Sequence, residues 1–264
     1  MLKRLVMALF VLVGTTSVAV AQDDEKSKQD VTIELEGRYL FPDFEADVRA
    51  GLGNIQGSDI DLERDFDADI DDIPIGRLNW YTGPKSRIFL EYRRSKIDGE
   101  AALARPITFK DVTYDVNASA SAELEIDYYR LGWIWQFITA SEGKFKFGTQ
   151  LEARYLHAEA TLEGQVGGTF ASRSENFDAA LPVIGLALDV NPVEEINLFV
   201  SVVGLPEIEG VRYFTAKGGL KFIPIRNFSI SAGYRYDEVK AEGDNDDFIK
   251  VSINGPVVAA SLRF

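Results

Sequence analysis

Asp59, Asp61, Glu63, Asp65, Asp67, Asp69, Asp71 and Asp72 crowd carboxylates into one short stretch. Alternate aspartates can offer oxygen ligands to a hard divalent cation, and Asp59, Asp61, Asp65, Asp67 and Asp69 are the candidates for such a site. The glycine and closing glutamate of a helix–loop–helix calcium loop are missing, so a solvated loop or strand extension is the plainer reading. Asp244, Asp246 and Asp247 form a second, smaller acidic run with the same two readings. His157 is the only histidine, so any serine, aspartyl-histidine or metal-assisted hydrolysis must pass through it. It shares a strand phase with Ala153 and Tyr155, which favours an outward-facing surface histidine over a catalytic base. A third constellation is dispersed: Glu34, Glu36, Arg38, Arg77, Glu91, Arg93, Arg130, Glu152, Arg154, Lys217, Lys221, Arg235 and Asp237, of both signs. Each sits on the polar face of an alternating run. If that face is enclosed, the charges must be paired or hydrated, which makes them an internal salt-bridge and water network.

The elements that position these residues are strands. From Val31 onward apolar and polar residues alternate with period two, in runs separated by turn chemistry. Phe228, Ile230, Ala232, Tyr234 and Tyr236 oppose Ser229, Ser231, Gly233, Arg235 and Asp237 in the clearest run. Leu124, Ile126 and Tyr128 stand out of phase with Tyr129, Leu131, Trp133, Trp135 and Phe137, which predicts a β-bulge near Tyr128-Tyr129. In the last run Ile249, Val251 and Ile253 give way to Val258, which predicts a second bulge at Asn254-Gly255-Pro256. The turns alternate in length, short at 82–85, 138–143, 191–194 and 224–227, long and acidic elsewhere. A reversal is expected near Lys110-Asp111.

Residues 1–21 read as a secretory signal peptide: basic Lys3 and Arg4, an apolar segment from Leu5 to Val13, and the small-residue cleavage site Ala19-Val20-Ala21. Residues 22–30 are expected to be a polar tether, and residues 31–264 one β-domain. No apolar run reaches the roughly 20 residues of a spanning helix. The chain has no cysteine, which excludes a lipoprotein anchor, disulfides and thiolate metal sites, and no cofactor is expected. The formal charge of −14 argues against nucleic acid as a partner.

Apolar faces long enough to cross a bilayer, at about 9–11 residues per strand, point to a transmembrane barrel. Aromatics near strand ends, among them Tyr39, Trp80, Trp135 and Tyr236, suit an interfacial girdle. In lipid every strand edge must be paired, so the sheet must close. The expected fold is all-β: a closed antiparallel transmembrane β-barrel of about ten strands, with eight and twelve as the neighbouring even counts. The rival is a soluble barrel with the apolar face as its core; the turn asymmetry weighs against it.

Four segments, Gly57 to Asp65, Arg77 to Trp80, Ser86 to Tyr92 and Ile107 to Tyr114, together with the closing strand from Gly255-Pro256 to Phe264, resemble a family of small Gram-negative outer-membrane β-barrel proteins. The resemblance covers most of the chain beyond residue 21. It implies an integral outer-membrane location, contact with lipid and lipopolysaccharide, and a terminal Phe264 that is read by the barrel-assembly machinery. It implies no catalytic motif. Ten-stranded outer-membrane proteases pair histidine with aspartate in an Asp-x-His motif, whereas Leu156-His157-Ala158-Glu159 has none. The expected function is non-enzymatic, with a charged, largely occluded lumen and acidic outer loops. The alternatives are a narrow channel for small solutes and an adhesin-like barrel that binds ligands or divalent cations at its surface.

Overall fold

In the computed structural model the described residues are 31–50, 57–116, 119–166, 169–208, 210–242 and 248–264. The expected signal peptide, the tether and the acidic run at 244–247 lie outside them. Fifteen strands follow in chain order: β1 (Ile33–Leu40), β2 (Asp43–Arg49), β3 (Ile60–Asp61), β4 (Asp69–Ile70), β5 (Ile73–Gly83), β6 (Ser86–Ala102), β7 (Ile107–Phe109), β8 (Val112–Tyr114), β9 (Ser119–Ala140), β10 (Phe145–Val166), β11 (Thr169–Val193), β12 (Ile196–Ile208), β13 (Val211–Ile225), β14 (Phe228–Glu242) and β15 (Phe248–Arg263). One short helix, α1 (Leu62–Phe66), lies between β3 and β4.

The wall is a ten-stranded antiparallel ring, with β1 and β2 serving in turn as one stave. β1 pairs with β5 on one side and with β15 on the other, from Glu34 opposite Arg263 to Leu40 opposite Val257. Phe264 completes this seam by donating its N–H to Ile33 O at 2.8 Å. Above Pro42, which has no N–H to give, β2 takes over the pairing with β15. A Cβ on Gly255 would lie 1.9 Å from Phe41 O, so this crossing of backbones requires glycine.

Neither expected bulge is present. The β9–β6 register runs without a break from Ser119 to Trp135, and even-numbered β9 residues face inward from Ala120 to Ile134. The β14–β15 register is likewise continuous, with odd-numbered residues inward. What changes along each strand is the composition of the two faces. The one irregularity in the β9–β10 ladder sits lower, between Phe147 and Thr149.

The barrel therefore has two storeys. In the lower one, toward the short turns, Leu131, Trp133, Trp135, Leu186, Val200, Ile230 and Val258 are exposed on the outside and charged residues fill the inside. In the upper one the faces exchange roles: Glu123, Glu125 and Asp127 lie outside β9, while Ala122, Leu124 and Ile126 are buried within. Tyrosines mark the boundary. Tyr92, Tyr129 and Tyr155 stand side by side with ring centroids 4.8 and 6.3 Å apart, and their strands turn polar immediately above.

The acidic stretch and the β7–β8 hairpin cap the upper storey. Leu62 and Phe66 of α1 and Ile107, Phe109 and Tyr114 of the hairpin are buried in its apolar core. Backbone bonds hold the cap in place: Ser58 N to Thr108 O at 2.8 Å and Lys110 N to Ala50 O at 2.8 Å. The Tyr114 hydroxyl donates to Leu162 O on the wall at 2.9 Å. The reversal expected at Lys110-Asp111 is present, but as a small hairpin folded onto the core rather than as the tip of two wall strands.

Candidate functional site

All of the dispersed charges singled out in the sequence face the lumen of the lower storey, because each sits on the inward parity of its strand. β6 places Glu91 at the centre. Its Oε1 accepts from Arg130 Nη1 at 2.5 Å and Arg235 Nη1 at 2.9 Å; its Oε2 accepts from Arg77 Nη1 at 3.1 Å and Arg38 Nη1 at 3.5 Å. Four strands thus deliver guanidinium groups to one wholly buried carboxylate.

Two further carboxylates extend this network. Glu152 accepts from Arg130 through two bonds, at 2.7 and 3.2 Å, and from Arg154 and Gln150. Asp237 takes Arg235 Nε and Arg93 Nη1, each at 2.6 Å, on one oxygen. On the other it takes the hydroxyls of Thr215 at 2.7 Å and Tyr213 at 3.0 Å. Glu36 is held by Arg38 at 2.9 and 3.1 Å. Near the short-turn end, Glu34 binds Lys221 at 2.6 Å and lies 3.5 Å from Arg263. Lys217 faces the same interior without an ion pair among the described residues.

Rings insulate the charges from above and between. The Arg77 guanidinium lies over Phe89 at 3.8 Å, Arg154 over Tyr213 at 4.1 Å and Arg93 over Tyr128 at 4.6 Å. The Tyr128 hydroxyl donates to Tyr213 Oη at 2.7 Å, where the polar interior meets the apolar one. Sequence parity could have found Arg87 and Arg263, which also point inward. Phe89 shares the inward parity of Glu91 and Arg93, whereas the partners of each charge follow only from the registers that bring distant strands together.

The acidic candidates are dispersed by the fold. Asp59 pairs with Arg49. Asp61 is the N-cap of α1, accepting from Arg64 N at 3.0 Å. Asp65 accepts from Arg64 Nε at 3.1 Å and Arg105 Nη2 at 2.8 Å. Asp67 closes the helix in the left-handed conformation, and Asp69 accepts from Ile70 N at 2.8 Å. Among the described residues no three carboxylates or imidazoles are grouped as cation ligands.

His157 lies on the outer wall above the tyrosine level, facing away from the lumen. Its Nδ1 is 2.8 Å from Asp178 Oδ1 on β11, which also accepts from the Tyr155 hydroxyl at 2.6 Å. The Tyr155 hydroxyl first, and His157 after it, hold the Asp178 carboxyl below the usual carboxylate range. This cross-strand pair is invisible to a search for Asp-x-His, since its partners are opposite each other on neighbouring strands.

No protein-family model and no protein of curated function matches the sequence. Solved structures do match the fold. The outer-membrane protease OmpT of Escherichia coli aligns over 90% of this chain and 100% of its own, at 11% identity and a TM-score of 0.53. The translocator domain of the autotransporter NalP from Neisseria meningitidis aligns over 89% and 90%, at 10% identity and a TM-score of 0.49. The attachment invasion locus protein Ail of Yersinia pestis aligns over 89% and 99%, at 13% identity and a TM-score of 0.39. With its apolar outer band, its closed ten-stranded ring and this likeness, the chain has the fold of the small Gram-negative outer-membrane β-barrel proteins.

Proposed function

We propose that the protein is an integral outer-membrane barrel, non-enzymatic, with a sealed lumen and an upper storey that faces the outside of the cell. The short turns would then lie in the periplasm, and Phe264 at the base would be the signal read by the barrel-assembly machinery. Lipid and lipopolysaccharide would surround the wall. The observation that carries this reading is the convergence of Arg38, Arg77, Arg130 and Arg235 on Glu91, under an apolar core that the β7–β8 hairpin covers. Such a stack supports a sealed lumen, because paired side chains occupy the space that a hydrated path would need. His157 faces outward on the wall, which gives it no pocket, and the 11% identity to a protease carries fold alone.

Planar-bilayer recording of the refolded mature protein tests the seal. The expected result is silence from a barrel whose gel mobility shifts on boiling. Discrete steps would favour the second reading, a narrow channel for small solutes, for which a cavity of about 50 Å³ among the lumen charges is the supporting observation. A third reading, divalent-cation binding at Asp59, Asp61, Asp65, Asp67 and Asp69, predicts a calcium-dependent rise in Tm that is lost on Asp61→Asn with Asp65→Asn.

A further inference from the structure

The cavity lies in the lower lumen, and its lining is unbalanced in charge. Arg38, Arg77, Arg87, Lys217 and Lys221 reach it, against the carboxylates of Glu36 and Asp189. Three of these cations are already matched: Arg38 by Glu36 and Glu91, Arg77 by Glu91, and Lys221 by Glu34. Asp189 is 2.6 Å from the amide nitrogen of Gln136. That bond is to a neutral amide, so the Asp189 charge still faces Arg87, and Lys217 alone is left with no carboxylate partner. Lys217 makes no hydrogen bond or ion pair among the described residues. Arg87 has only a 3.4 Å bond from Nη1 to Tyr81 Oη, and its buried Nε has no acceptor.

A cation enclosed in a barrel wall without a counter-charge is costly, and water, an anion or, for a lysine, loss of the proton must relieve it. Roughly 10–15 Å³ of such space holds one water, so about 50 Å³ admits a few waters or a single small anion. Apolar Ile134, Ala187 and Phe199 share the rest of the wall with polar Asn79, Gln150 and Ser201, whose amides and hydroxyl can also donate to an anion. We propose that this cavity is a binding site for one small inorganic anion, between halide and phosphate in size, held by Lys217 and Arg87. The site does not depend on whether the barrel conducts, so silence in bilayers leaves it standing.

The test is thermal unfolding of the refolded mature protein at constant ionic strength, with gluconate replaced stepwise by chloride or, in a second series, by phosphate. The expected result is a saturable rise in Tm of about 3–5 °C at ten times the dissociation constant in one or both series. Lys217→Met, which keeps the stem and removes the charge, should raise Tm in gluconate and abolish the rise. If that variant does not refold, Arg87→Gln serves the same comparison. Crystals grown in bromide should show an anomalous peak between these two side chains. Equal Tm in all three anions, an undiminished rise in Lys217→Met, or water alone at the bromide-tested position would overturn the proposal.

Discussion

The two storeys of the barrel share the same strands, yet they obey opposite rules. On β9, Leu131 and Trp135 are about half exposed while Arg130, next to Leu131, is 0% exposed; a few residues higher, Leu124 is 0% exposed and its neighbours Glu123 and Glu125 face out. Backbone parity is unchanged between them. The surroundings differ instead. An outer face in hydrocarbon must be apolar, and a lumen that gathers charge can be stable only if those charges satisfy one another. In the proposed membrane placement, the outer face of the upper storey meets water above the lipid, and its interior returns to the ordinary apolar core of a soluble protein. The difference teaches that a strand crossing from one solvent to another inverts its pattern without any change in geometry.

The most damaging change should be one that breaks the lower interior. Glu91→Gln leaves four guanidinium groups facing a neutral amide, and loss of a buried partner costs about 3–5 kcal/mol. Urea unfolding followed by gel mobility should show the loss, and a variant as stable as the parent would mean that the charges are hydrated rather than paired. In the upper storey Leu124→Ala should cost about 2–5 kcal/mol by leaving a cavity in the apolar core. Leu131→Ala, seven residues further along β9 and on the outside, should cost less, since lipid closes over the truncated side chain. Leu131→Arg sharpens the contrast, with an expected loss of about 2–4 kcal/mol in bilayers.

The smallest effect concerns pH and the cap. The Arg173 guanidinium, 2.7 Å away, holds the Asp111 carboxyl below the usual carboxylate range. A carboxyl lowered in the folded state adds stability that is present above its unfolded pKa and fades as pH falls through its folded one. Hydrogen exchange of residues 107–114 should therefore quicken below about pH 4, and Asp111→Asn should remove that dependence while leaving the barrel folded.

Much of this was legible in the sequence. Period two marked out the strands, the turn asymmetry suggested the up-and-down order, and parity put the charges from Glu34 to Asp237 on the face that the ring turns inward, while Arg87, Asp189 and Arg263 were passed over. The misreadings share one cause. Ile126 and Leu131 stand on opposite faces, and an apolar residue on the wrong face suggests a bulge only if one solvent is assumed along the whole strand. The same assumption hid the cap, since Leu62 and Phe66 look incidental among acids until an apolar interior is available above the membrane level. Asp178 was not joined to His157 because the pairing depends on the register of the β10–β11 hairpin, which alternation alone does not reveal. Arg87 shares the parity of Glu91 and Arg93, so alternation reaches it, but that its Nε lacks an acceptor is visible only in the closed ring.

Site-directed spin labelling along β9 tests the inversion most directly, because the chain has no native cysteine to remove. Labels placed singly from 123 to 135 in reconstituted bilayers would be compared for collision with oxygen, which concentrates in lipid, and with a water-soluble nickel complex. Odd positions 123, 125 and 127 should favour nickel, 131, 133 and 135 should favour oxygen, and even positions should resist both, with no break in parity at Tyr128-Tyr129. Oxygen access at 123–127, or a parity shift between 128 and 129, would contradict the two-storey barrel.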